Sequence, residues 1–187
     1  VSIFPSPTIA CVGVNEKAEN VLKSYFSKDT SAIYLLGESR GNFGGSLIAK
    51  VLDKKVAGEL EDIDFNAELK LWDFLLKANE VKLLDCANSI GIGGIAITLA
   101  KMCAMANLGI NAKTNFIDKS FIFEESPTRV IIGVKDEEEF IKFANEMGIK
   151  FTKLGNLNEE DFILDDVKIS LDDLKNTYFN NFKNYLG

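Results

Sequence analysis

The stretch Asn88-Ser89-Ile90-Gly91-Ile92-Gly93-Gly94-Ile95-Ala96-Ile97 decides how this chain is read. It is a glycine-rich turn that runs directly into an apolar segment over residues 95–106, the pattern of a largely buried helix. Glycines at such a junction let backbone N–H groups approach a ligand closely, and the positive end of the helix dipole favours an anion there. The turn nevertheless carries no charged or acid–base side chain, and Asn88 and Ser89 are its only polar ones. A magnesium–nucleotide site asks for at least one carboxylate oxygen near the phosphates. Two readings stand: a degenerate nucleotide turn made of Asn88, Ser89, Gly91, Gly93 and Gly94, or close packing of a helix onto a sheet.

Working outward, residues 81–87 read as a strand entering this turn, and Leu108-Gly109-Ile110 stops the helix and begins a short strand. The unbroken apolar run over 32–36, ending at Gly37, predicts a buried strand. It feeds a second glycine-rich loop, Gly41 to Gly45, before a helix starting at Ser46. Amides of Gly44, Gly45 and Ser46 can cradle a phosphate, although no Lys-Ser/Thr follows as in a Walker loop. The plainer alternative is a tight turn with Ser46 near the helix cap. Residues 66–80 place Leu69, Trp72, Phe74, Leu75 and Leu76 among charges, as in an amphipathic helix.

Further on, 129–134 predicts a strand and 136–147 a helix with Phe140, Ile141 and Phe143 inward. Residues 149–154 and 161–164 are expected to pair as strands, with another short strand at 167–169. Ser170-Leu171-Asp172-Asp173 has capping-box spacing and opens a terminal helix, where Phe179, Phe182 and Tyr185 suggest a packing face. At the start, Pro5-Ser6-Pro7 leads into an expected strand over 8–14. The alternation of strands and helices defines an α/β class, expected as a two-layer domain with a mixed β-sheet covered by helices.

Glu124-Glu125-Ser126-Pro127-Thr128-Arg129 sets two acids, two hydroxyls and a guanidinium just before a strand. Glu125, Ser126 and Arg129 are candidate ligand contacts, Arg129 as a clamp for phosphate or carboxylate; a local ion pair between Arg129 and Glu125 is the alternative. Asp136-Glu137-Glu138-Glu139 sits where acids complement a helix dipole, so it is not assigned to a metal.

The whole chain has 187 residues, 47% hydrophobic and 26% charged, with a net charge of −7. Its dispersed lysines form no basic face, which excludes a nucleic-acid partner. No apolar run reaches the ~18 residues of a membrane helix, and neither a signal peptide nor a membrane partner is expected. Cys11, Cys86 and Cys103 lie far apart and suit a reduced, cytoplasmic setting. Histidine is absent, which removes Ser-His-Asp and Cys-His nucleophiles and histidine metal sites. No catalytic residue and no metal ligand is assigned. The chain opens on Val1 rather than Met, compatible with processing or with a piece of a longer protein.

The order of these motifs resembles the phosphoribosylformylglycinamidine synthase family, within the aminoimidazole ribonucleotide synthetase superfamily. Its anchors are Pro7-Thr8-Ile9-Ala10-Cys11-Val12-Gly13 (similar to PTPVIGMVG), Ile33-Tyr34-Leu35-Leu36-Gly37-Glu38-Ser39 (similar to VIYLLGET) and Phe43-Gly44-Gly45-Ser46 (similar to LGGS). Gly93-Gly94-Ile95-Ala96-Ile97 is similar to GGLAVA, and Phe123-Glu124-Glu125-Ser126-Pro127-Thr128-Arg129 to FSESQSR. The resemblance covers nearly the whole chain and points to the C-terminal subdomain of the family's second half. Residues 1–14 are then the end of the preceding subdomain and a connecting strand, and 15–187 the AIR-synthetase-like C-terminal domain.

What the resemblance implies is a domain of an ATP-dependent ligase of de novo purine biosynthesis. The family enzyme uses ATP and Mg2+ to convert formylglycinamide ribonucleotide to formylglycinamidine ribonucleotide with ammonia derived from glutamine. The implied partners are the upstream domains of the same chain, a glutaminase subunit and a small bridging subunit. The family's acid–base histidines lie upstream, so this chain alone is expected to be inactive, mainly structural and without its own cofactor. The second-half family motif His-Asp-x-Ser-Asp/Glu-Gly-Gly has Ser89 at its Asp and Gly91 at its Ser here, and Pro127 replaces the Gln of the ESQ run. Alternatives are a domain of the thiamine-monophosphate kinase or selenophosphate synthetase type, or a stand-alone non-catalytic binding module.

Overall fold

The computed structural model describes residues 8–15, 17–54 and 57–186, with side chains to residue 181. Ala32–Leu36 (β1) is buried along its whole length. A strand buried on both faces needs neighbours at both edges and cover on both sides. β1 pairs antiparallel with Val130–Val134 (β4) on one edge and with Phe151–Asn158 (β5) on the other. Leu84–Ser89 (β2) pairs antiparallel with β4 and ends the sheet on that side. Beyond β5 come Gly109–Ala112 (β3), Asp161–Leu164 (β6) and Val167–Ser170 (β7), giving the order β2-β4-β1-β5-β3-β6-β7. β3 and β6 run parallel; the other described pairs are antiparallel, so the sheet is mixed as expected.

Alternating side chains of β1 and β4 feed two cores. Ile33, Leu35 and Ile131 pack with Gly94–Ala106 (α3) and Leu171–Leu186 (α5). Tyr34, Leu36 and Ile132 pack with Phe65–Glu80 (α2) and Glu137–Glu146 (α4). Helical cover thus lies on both faces of the sheet, where a two-layer arrangement was expected. The physical reason is that β1 and β4 carry apolar residues at every position and so leave no face for water. A short helix, Leu47–Asp53 (α1), buries none of its residues.

Caps follow the sequence. Asp64 accepts the amides of Asn66 and Ala67 at 3.0 and 3.1 Å. Asp136 accepts that of Glu139 at 2.9 Å, so the acidic run is a cap and first turn. Ser170 accepts the amide of Asp173 at 3.1 Å and donates its hydroxyl to that carboxylate at 2.7 Å.

Three expectations are corrected. β5 and β6 do not pair with each other, because β3 inserts between them, antiparallel to β5 and parallel to β6. Residues 8–14 form no strand, for no sheet edge receives them, and Ile9, Val12 and Val14 are exposed. Within α2 the buried residues are Leu71, Phe74 and Ala78, while Leu69, Trp72 and Leu76 face outward. Phe179 of the terminal helix is exposed; the side chains of Phe182 and Tyr185 lie outside the described residues, as do residues 1–7, among them Pro7 of the first anchor.

Candidate functional site

The two glycine-rich loops leave the sheet from β1 and β2, the strands on either side of β4, and meet the segment 124–129 that leads into β4. β2 extends to Ser89, so Asn88 and Ser89 belong to the strand, opposite Ile131 and Val130, and the turn itself is Gly91 to Gly93. Asn88 spends its side-chain amide on the Ser24 carbonyl at 2.9 Å. Gly94 opens α3 at φ +67°, and a Cβ there would lie 2.6 Å from the carbonyl oxygens of Glu124 and Ile122. The glycine thus lets the helix start sit directly on the 122–124 backbone. This supplies the close packing that the sequence allowed for.

The amides of the other loop are already taken within the chain. Gly44 N–H donates to Asn42 Oδ1 at 2.8 Å, Gly45 N–H to Ala57 O at 2.9 Å and Ser46 N–H to Phe43 O at 3.2 Å. The Ser46 hydroxyl donates to Phe43 O at 2.6 Å and accepts Ala49 N–H at 3.3 Å, the geometry of a helix cap. An anion at these amides would have to replace bonds already made.

Segment 124–129 joins the loops. Glu125 Oε1 accepts the amide of Leu47 at 2.8 Å and that of Gly93 at 2.8 Å. A carboxylate of the chain itself therefore takes amide hydrogens at the start of two helices, where anions are favoured. Glu124, fully buried, accepts the amides of Arg40 and Gly41 at 2.7 and 3.1 Å and the hydroxyl of Ser126. The expected ion pair between Arg129 and Glu125 is not formed. Arg129 instead faces Glu124, Nη1 to Oε2 at 3.6 Å, because Glu125 is turned away to its two amides.

Arg129 is buried and fully engaged within the chain. It donates to Ser126 O at 3.1 Å, Ser39 Oγ at 2.7 Å and Glu124 O at 2.6 Å. Burial pulls its guanidinium below the ordinary value, opposed by the charges of Glu124 and Glu61. Ser126 is buried as well, so of the three proposed contacts Glu125 is the least enclosed. Sequence reasoning did not select Glu124, Ser39, Arg40 or Glu61. Glu124 lay inside the quoted acidic run, whereas the Arg40–Glu61 ion pair joins two loops and leaves no local signal.

These residues do not fit a magnesium-bound triphosphate at the 88–94 turn. The Gly93 amide is taken by Glu125, whose negative charge would repel a phosphate there, and the turn has no acidic side chain of its own. Among the described residues no group of three or more His, Cys, Asp or Glu side chains is placed to hold a metal ion, and no helix is long and apolar enough to cross a membrane.

Residues 29–166 match the AIR synthase related protein C-terminal domain, and the chain belongs to that family. Over all 187 residues it is 88% identical to phosphoribosylformylglycinamidine synthase subunit PurL of Campylobacter lari, and it spans 26% of that relative's length. T. maritima PurL complexed with FGAR shares the fold over 84% of this chain and 30% of its own, with a TM-score of 0.69 at 17% identity. T. maritima PurL complexed with ATP does so over 84% and 28%, with a TM-score of 0.64 at 17% identity. Likeness at that identity concerns the fold alone.

Proposed function

We propose that this chain is the C-terminal domain of a cytoplasmic phosphoribosylformylglycinamidine synthase. The intact enzyme would convert formylglycinamide ribonucleotide to formylglycinamidine ribonucleotide with ATP, Mg2+ and glutamine-derived ammonia. The observation that carries this reading is 88% identity along the full chain to a subunit of that name. Beside it, the kinase, selenophosphate synthetase and stand-alone readings are not favoured. The domain acts as a scaffold: Glu124, Glu125 and Arg129 lock the two glycine loops and present them to the rest of the enzyme. ATP and Mg2+ are handled by the remaining domains, and a glutaminase subunit and a small bridging subunit complete the assembly.

The test is a chimera in which these 187 residues replace the matched quarter of the C. lari relative. Ammonia-dependent formation of formylglycinamidine ribonucleotide within about tenfold of the parent enzyme is expected, a margin of ~1.4 kcal/mol in the barrier. A folded chimera without activity would overturn the assignment. The isolated chain is expected to show no turnover; a rate in the usual enzyme range of about 1–10³ per second would refute the scaffold role.

A further inference from the structure

α2 is apolar on two flanks. Leu71, Phe74 and Ala78 are buried against the sheet, as an ordinary surface helix requires. Phe65, Leu69, Trp72 and Leu76 follow one another at steps of four, three and four, and so form a second stripe. They are 72, 59, 55 and 67% exposed. A surface helix normally turns charged and polar residues to water; a helix apolar on both flanks is one meant to be covered twice. Contiguous exposed apolar surface of this kind marks an interaction site.

The stripe borders a groove of about 540 Å³ between Phe65, Trp72 and Leu75 on one side and, on the other, Ala87 to Ile90, the end of edge strand β2 and the residue after it. Pro127, Thr128 and Arg129 also line it. One polar atom in its wall lacks a partner: Glu68 Oε1 accepts the Trp72 indole N–H at 2.7 Å, while Glu68 Oε2 is buried without a hydrogen bond among the described residues. A buried carboxylate oxygen in that state calls for a donor from whatever fills the groove.

We propose that this stripe and groove are the surface by which the domain docks onto the part of the synthase polypeptide outside the matched quarter, an inference that rests on the function proposed above. The occupant is an apolar segment of that polypeptide bearing an N–H donor for Glu68. The C. lari relative holds about three-quarters of its length beyond the match, enough to supply it. The groove also runs to Asn88, Ser89 and Arg129, so its occupant is brought against the candidate site. A second copy is the poorer occupant: each chain carries a net charge of −7, and an isologous contact sets the same patch, with its Glu68, against itself.

Hydroxyl-radical footprinting compares the isolated chain, at a concentration where it is monomeric, with the same residues inside the full-length chimera. Oxidation of Phe65, Trp72 and Leu76 is expected to fall about fivefold or more in the chimera as the stripe is shielded from water. Leu69→Glu/Leu76→Glu is expected to leave the melting of the isolated chain unchanged and to restore oxidation of Trp72 in the chimera. Equal oxidation of the stripe in both proteins would overturn the proposal. So would a dimer of the isolated chain that already shields the stripe and dissociates in the double variant, since the occupant is then a second copy. Ligase activity is read separately: an active chimera with an unshielded stripe refutes the docking surface alone, and an inactive one with a shielded stripe refutes the function alone.

Discussion

Glu125 and Gly93 are 32 residues apart, yet Glu125 Oε1 accepts the Gly93 amide at 2.8 Å while also holding the Leu47 amide at 2.8 Å. One carboxylate oxygen thereby ties together two loops that enter different helices. Glu125→Ala is expected to cost about 1–3 kcal/mol, since two charge-assisted bonds are lost and two amides are left without an acceptor. Glu125→Gln keeps an acceptor oxygen and should cost less. Urea denaturation measures the cost, and faster hydrogen exchange at Leu47 and Gly93 identifies its origin.

Arg129 and Glu124 form a buried pair, with both side chains closed to solvent. Arg129→Met strands the Glu124 carboxylate and is expected to destabilise the domain by about 3–5 kcal/mol. Adding Glu124→Gln should recover part of that loss, because no bare charge then remains. Equal stability of the single and double variants in urea would contradict a charge origin.

Gly94→Ala tests the close approach of α3 to segment 122–124. The left-handed backbone and the nearby carbonyls make the added methyl costly, by roughly 1–3 kcal/mol. Gly91→Ala, where a Cβ meets nothing within 4 Å, is the matched control. Thermal melts of the two variants should separate clearly.

The local signals were the legible ones. Ala32–Leu36 announced itself as an unbroken apolar strand, α3 as a helix leaving a glycine turn, the acidic run from Asp136 as the start of a helix and Ser170 as a cap, because each depends on a few adjacent residues. Pairing was less legible: Asp161–Leu164 follows β5 directly in the chain, yet its partners are Gly109–Ala112 and β7. Nothing in a short window reveals that β3 will insert. The outward stripe of α2 escaped for a related reason, as apolar spacing shows that a helix is covered without showing which flank the sheet takes. At the site, the acidic run was visible, but which of its carboxylates meets Arg129 is decided by two amides from distant loops.

Acid should find a defined weak point at Glu137. A charged hydrogen bond from Lys153 at 2.9 Å and one from the Tyr34 hydroxyl at 2.5 Å hold its carboxyl below the ordinary value, in that order of influence. The folded chain therefore binds its proton less readily than the unfolded chain. This contribution is fully present above the unfolded carboxyl value of about 4.3 and is lost as pH falls through the lower folded value. Lys153→Met should raise the midpoint of acid unfolding, followed by circular dichroism, and flatten the stability curve below pH ~5.

Phosphate offers a check on the first glycine loop. Its three amides are already bonded within the chain, so titration of the isolated chain with inorganic phosphate should show no saturable binding at Gly44, Gly45 and Ser46. Calorimetric binding that Ser46→Glu weakens would show that these bonds give way to a ligand.

The interior position of β1, paired on both edges, has a consequence for the chain as it is made. Ala32 registers with Val134, and Leu36 with Phe151, so both edges of this strand wait for residues synthesised about a hundred positions later. At roughly 5–20 residues per second that delay is on the order of 5–20 seconds. During it an apolar strand with two open edges stands outside the ribosome. The nascent protein should thus engage chaperones early and release them only after β5 has emerged.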